Sequence, residues 1–144
     1  MGATVRVFGM PKHRVDELTL SNTDYQWFID YCYDYRSGDI EDTLPAYDCY
    51  ENALTSWLCA SEPGKQALSL GTPIWILHTS EINEHIDLLR SALNKDIEES
   101  IGSGYSDELY DRSWEHMQVL ACMLQLRDIL AAYPDYYIVI DAQW

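Results

Sequence analysis

Positive charge is what this sequence most lacks. Nine Lys and Arg stand against 24 Asp and Glu, for a formal net charge of -15. Between Asp16 and Glu62, a stretch crowded with carboxylates and tyrosines, the single basic residue is Arg36. Proteins that hold phosphate backbones or anionic membranes do so with stripes of lysine and arginine. Their absence argues against nucleic acid as a direct ligand and favours basic protein surfaces or cations.

Paired cysteines are missing as well. Cys32, Cys49, Cys59 and Cys122 show no C-x-x-C spacing, so neither a zinc site with close ligand pairs nor a disulfide scaffold is expected. No cleavable apolar leader follows Met1, which makes a reducing cytoplasm the expected location. Long apolar runs are absent too: Ile74–Leu77 and Tyr136–Ile140 fall far short of the roughly 20 residues of a membrane helix. No stretch spells out a catalytic, metal or nucleotide-binding motif, and no cofactor is expected.

What is present suffices for a core. A chain of 144 residues with 47% hydrophobic composition is too apolar for the disordered class and fits a single domain, 1–144, that buries about two thirds of its unfolded surface. Thr4 to Phe8 are β-prone and Gly9 with Pro11 close the run, so the chain opens with a strand, and Pro11 starts a short helical turn through Leu18. Ser21 or Thr23 caps a helix in which Trp27, Tyr31 and Tyr35 recur every four residues before Gly38; the alternation of Tyr31, Tyr33 and Tyr35 supports a strand as the competing reading.

Thr43, Leu44 and Pro45 start another helix, with Tyr50, Ala53, Leu54, Trp57 and Leu58 as its apolar stripe and Pro63 and Gly64 as its stop. After a connector from Lys65 to Gly71, Ile74–Leu77 suits a central strand. Thr79 or Ser80 caps the next helix, whose Ile82, Ile86, Leu89 and Leu93 face inward, and Ile101 to Gly104 is the most loop-like part of the chain. Ser106, Asp107 and Glu108 begin a long helix with Trp114, Met117, Ala121, Leu124 and Ile129 marking one side until Pro134, and Tyr136 to Asp141 forms a last strand. This order implies an α+β domain with a small sheet of about three strands covered by four to five helices. If the two later strands lie side by side in parallel, their connection is right-handed.

Two groups of residues are candidate sites. Asp30, Asp34, Asp39, Glu41, Asp42, Asp48 and Glu51 are expected to form a contiguous exposed face, with Tyr33, Tyr47 or Tyr50 adding contact area. Carboxylates one helical turn apart lie about 5 to 6 Å from each other, a spacing from which several faces could imitate a phosphate track. An ordinary solvated surface is the bland alternative. His78, Glu81, Glu84 and His85 stand at a strand-to-helix junction, where Glu81 and His85 are one turn apart and could share a cation. Against this, spacing supplies no two-histidine helical pair and no third ligand. Glu108, Asp111 and Glu115 form a further carboxylate ridge, for which a favourable place near a helix start is explanation enough. Trp27, Trp57, Trp75 and Trp114 sit on apolar stripes and are expected in the core, and Trp144 is docked or a partner contact.

The Met1-Gly2 opening into a strand, His78-Thr79-Ser80-Glu81-Ile82 at a helix start, and Leu126-Arg127 leading to Tyr137-Ile138-Val139-Ile140 loosely resemble the YfbM-like family of small bacterial proteins of unknown function. That resemblance implies a small α+β domain and carries over no catalytic residue.

The composition and the missing motifs favour a non-enzymatic acidic binding protein, an inhibitor or immunity-type protein engaging a basic surface such as that of a restriction or CRISPR nuclease. A small enzyme with its site near His78, Glu81 and His85, or a homo-oligomer packing through its tyrosine-rich face, are the alternatives. Genomic neighbourhood would separate inhibition from catalysis.

Overall fold

In the computed structural model, residues 4–21, 47–49, 52–61 and 74–143 are described. They form an α+β fold of four strands and four helices. The elements are β1 (Thr4–Pro11), α1 (Lys12–Ser21), β2 (Tyr47–Cys49), α2 (Asn52–Ala60), β3 (Ile74–Leu77), α3 (Thr79–Ser103), α4 (Asp107–Ala132) and β4 (Tyr136–Gln143). The strands make one antiparallel sheet in the order β2-β1-β4-β3. Four strands therefore stand where about three were expected.

The two central strands explain the sheet's stability. Val5 and Val7 point to one side of β1, Phe8 and Met10 to the other, and all four are buried. The pairs Val7↔Ile140 and Phe8↔Val139 continue both faces into β4, where Ile138, Val139 and Ile140 are also buried. A strand covered on both sides reads as a continuous apolar run rather than an alternation. The helical face of the sheet holds the main core, in which Trp75 and Leu77 of β3 meet Leu54 and Leu58 of α2, Ile82, Ile86 and Leu89 of α3, and Met123, Leu126 and Leu130 of α4.

Several expectations are corrected. β1 continues through Gly9 to Pro11 instead of closing there, and pairs with β4 along its whole length. Among the described residues, Ile74–Leu77 lies at the sheet edge, not at its centre. β3 and β4 are neighbours but antiparallel, because the path through two helices has three connections, and a chain that reverses at each of them returns opposite to the outgoing strand. The expected helix from Thr43 contains strand β2 at Tyr47–Cys49 instead, with Val7 opposite Tyr47 and Arg6 opposite Asp48, and α2 begins only at Asn52. Thr79 is the first residue of α3 and His78 its N-cap: Glu81, three residues on, accepts the His78 backbone N–H at 2.7 Å, the carboxylate half of a capping box. The helix also extends through the expected loop at 101–103 and stops at Gly104, whose φ of 80° suits a residue without Cβ.

The α4 boundaries agree with the sequence. Ser106 caps the helix by accepting the Leu109 N–H at 3.2 Å, and Tyr133 ends it immediately before Pro134. Its buried side does not agree. Leu109, Ser113, Val119, Met123, Leu126 and Leu130 face inward, whereas Trp114 and Met117 are half exposed. No helix among the described residues is long and apolar enough to cross a membrane.

Candidate functional site

The α3–α4 pair is an antiparallel helical hairpin, closed by the three residues 104–106 between its arms. Its inner side carries a polar network. Trp57 of α2 donates its indole N–H to Nδ1 of His85 in α3 at 3.0 Å, and His85 is fully buried. An accepting Nδ1 puts the proton on Nε2, and that atom is buried without a hydrogen-bond partner. Burial depresses the His85 pKa, with the Glu81 carboxylate acting in the opposite direction. His85 is a neutral core histidine.

The Trp57 ring also meets His116 of α4 edge-on, at 5.7 Å between centroids. His116 Nδ1 lies 2.7 Å from one oxygen of Asp96, and Arg112 Nε donates to the other at 2.9 Å. Arg112 bonds Glu99 as well. Asp96 is the one buried carboxylate among the described residues. Burial alone would raise its pKa, but the hydrogen bonds from His116 and Arg112 hold it below the ordinary value. Every oxygen of this carboxylate is occupied, so the network is a brace between helices rather than an open site.

The junction residues come together only in part, with His78 Nε2 lying 3.8 Å from Glu81 Oε1. His78 packs its ring on Tyr137 at 4.0 Å between centroids, Glu81 caps the helix, Glu84 is exposed, and His85 turns into the core. No group of three or more His, Cys, Asp or Glu among the described residues is placed to hold a metal ion. Cys59 and Cys122 are half-buried and not joined in a disulfide. Of the expected acidic face, Asp30, Asp34, Asp39, Glu41, Asp42 and Glu51 lie outside the described residues, as do Tyr33 and Tyr50; Asp48 and Tyr47 belong to β2. Trp27, Cys32 and Trp144 are likewise outside.

The outer side of the hairpin carries a different feature. Tyr110, Trp114 and Met117 of α4 are 57, 51 and 46% exposed, and Ile97 and Ile101 of α3 are 56 and 80% exposed. Tyr105, in the connection, is also exposed and lies 6.3 Å from Tyr110 between ring centroids. Trp75 is buried as expected of the tryptophans, Trp57 is half-buried, and Trp114 is the exception. The sequence does signal the internal brace, because Asp96 continues the heptad spacing of Ile82 and Leu89, and a carboxylate on an apolar stripe requires a partner. No protein-family model, curated protein or solved structure matches this chain.

Proposed function

We propose that this is a non-enzymatic binding protein of the inhibitor or immunity type, whose acidic surface engages a basic surface on a protein partner. The outward charge of the α3–α4 hairpin carries the reading. Residues 79–132 hold eleven Asp and Glu against four Lys and Arg, and of those carboxylates only Asp96 is buried. One of the four cations, Arg112, is engaged with Asp96 and Glu99. The field that remains repels phosphate and attracts lysine- and arginine-rich protein.

A nucleic-acid-binding protein is the partner class that fits this chemistry, since its groove is basic in order to hold phosphate. An anti-restriction or anti-CRISPR role follows by that analogy of surface charge, and Asp30, Asp34, Asp39, Glu41, Asp42, Asp48 and Glu51 would extend the negative surface. A cytoplasmic location goes with such a partner. A YfbM-like membership would add no activity to this reading. Catalysis at His78, Glu81 and His85 is not supported, because His85 is buried and committed to Trp57.

The test is binding to purified restriction and RNA-guided nucleases across a salt series. Affinity should fall steeply as ionic strength rises from about 50 to 500 mM, where the screening length shrinks to a few ångströms. Binding indifferent to salt would sink the charge-led reading.

A further inference from the structure

Building on that charge-led reading, we infer that the tip of the α3–α4 hairpin is the docking surface, and that its occupant is a basic amphipathic segment of a protein partner. Helix α4 carries two apolar stripes. One is buried, and the other, Tyr110, Trp114 and Met117 at spacings of four and three, remains half exposed. A lone exposed apolar side chain requires no explanation, but a row of aromatic and large aliphatic ones does.

The hairpin geometry widens this row. The bonds from Arg112 to Asp96 and Glu99 place the last turns of α3 level with the first turns of α4. Arg112 and Glu99 occupy one flank. At about 100° per residue in two antiparallel right-handed helices, Ile97 and Ile101 turn to the other flank, on the same side as Tyr110, Trp114 and Met117. Tyr105 closes the end of the row against Tyr110.

Charge selects the occupant. Asp107, Asp111 and Glu115 follow the aromatic row around α4 and are exposed, while the only Lys or Arg between 105 and 118 is Arg112, held on the opposite flank. A second copy of this chain would bring the same carboxylates face to face. A segment with apolar side chains to cover the row and Lys or Arg to meet its rim satisfies both features, and tyrosine with tryptophan offers it a large contact area at low entropy cost.

Three labelled helical peptides test this against the full chain: a leucine stripe flanked by lysines, the same stripe flanked by glutamates, and a lysine-rich peptide without leucine. The Lys/Leu peptide should bind best. Trp114→Ala and Tyr110→Ala, each checked for retained helix by circular dichroism, should weaken it by about tenfold or more, and Asp111→Asn with Glu115→Gln should flatten its salt dependence. Undiminished binding by both aromatic variants overturns the docking surface, as does equal binding of the Glu/Leu peptide. A wild-type dimer that Trp114→Ala converts to monomer overturns it in favour of self-association. If neither lysine peptide binds at low salt, the charge-led function falls as well; if both bind but the aromatic variants change nothing, that function stands and only the docking surface is lost.

Discussion

Trp57 and His85 are joined across 28 positions of sequence by one hydrogen bond of 3.0 Å, from indole N–H to imidazole Nδ1. It ties α2 to α3 at the border of the core. Removing the donor strands an acceptor that water cannot reach, which costs about 1 to 3 kcal/mol. Trp57→Phe should lower the urea midpoint accordingly. Trp57→Phe combined with His85→Leu should cost less than the two single changes added together, since both polar groups then leave the core. Strict additivity would show that the bond contributes nothing.

Acid should weaken the fold through the same histidine. Because burial lowers the folded pKa of His85 beneath 6.5, the unfolded chain binds the extra proton as pH falls through 6.5, and stability falls with it down to the folded pKa. The slope has an upper limit of about 1.4 kcal/mol per pH unit for one group. Urea unfolding at pH 7.5, 6.5 and 5.5 should show this decline, and His85→Gln should reduce it. Asp96 has the depressed carboxylate pKa, so its stabilisation is complete above about 3.8 and is lost only on further acidification. If His85→Gln leaves the slope between pH 7.5 and 5.5 unchanged, the decline belongs to other groups.

Asp96→Asn should destabilise the hairpin by about 1 to 3 kcal/mol. The neutral amide cannot serve both Arg112 and His116 as the carboxylate does. Arg112 is about half exposed, and solvent then moderates the loss. A double-mutant cycle with Arg112→Gln would measure the coupling, expected to be favourable; a value near zero would mean that the pair is incidental.

Two glycines at the hairpin tip should respond in opposite directions to the same substitution. Gly102 lies inside α3 and nothing stands within 4 Å of an added Cβ, so Gly102→Ala should stabilise by about 0.5 to 1 kcal/mol through the unfolded state. Gly104 has equal space but a φ of 80°, so Gly104→Ala should cost about 1 kcal/mol or more. Thermal midpoints that move in the same direction would contradict this account of the tip.

The α+β class and most helix boundaries in the second half of the chain were legible because they rest on local chemistry. The Ser106 cap, the Pro134 stop and the 3.6-residue spacing of Ile82, Ile86 and Leu89 act within a few residues. What was not legible depended on distant partners. Helix α4 offers two apolar stripes, and the one richer in aromatics, through Trp114 and Met117, is the more conspicuous in sequence. Which stripe is buried is decided by where α2, α3 and the sheet lie. Likewise, no local property of Tyr47, Asp48 and Cys49 makes a strand; β1 supplies the template. The candidate at His78, Glu81 and His85 failed because adjacency along a helix does not fix which side of it faces solvent.

The pairing of Thr4 with Gln143, continued to Pro11 with Tyr136, has a consequence for how the chain acquires its structure. The ladder at the centre of the sheet joins the earliest described strand to the last, so on the ribosome β1 can meet the short β2 early but must wait for nearly the whole described chain before β4, its full-length partner, exists. The α3–α4 hairpin, built from contacts close in sequence, faces no such delay. Assembly should therefore begin at the hairpin and finish at β1 with β4, with that closure setting the overall rate.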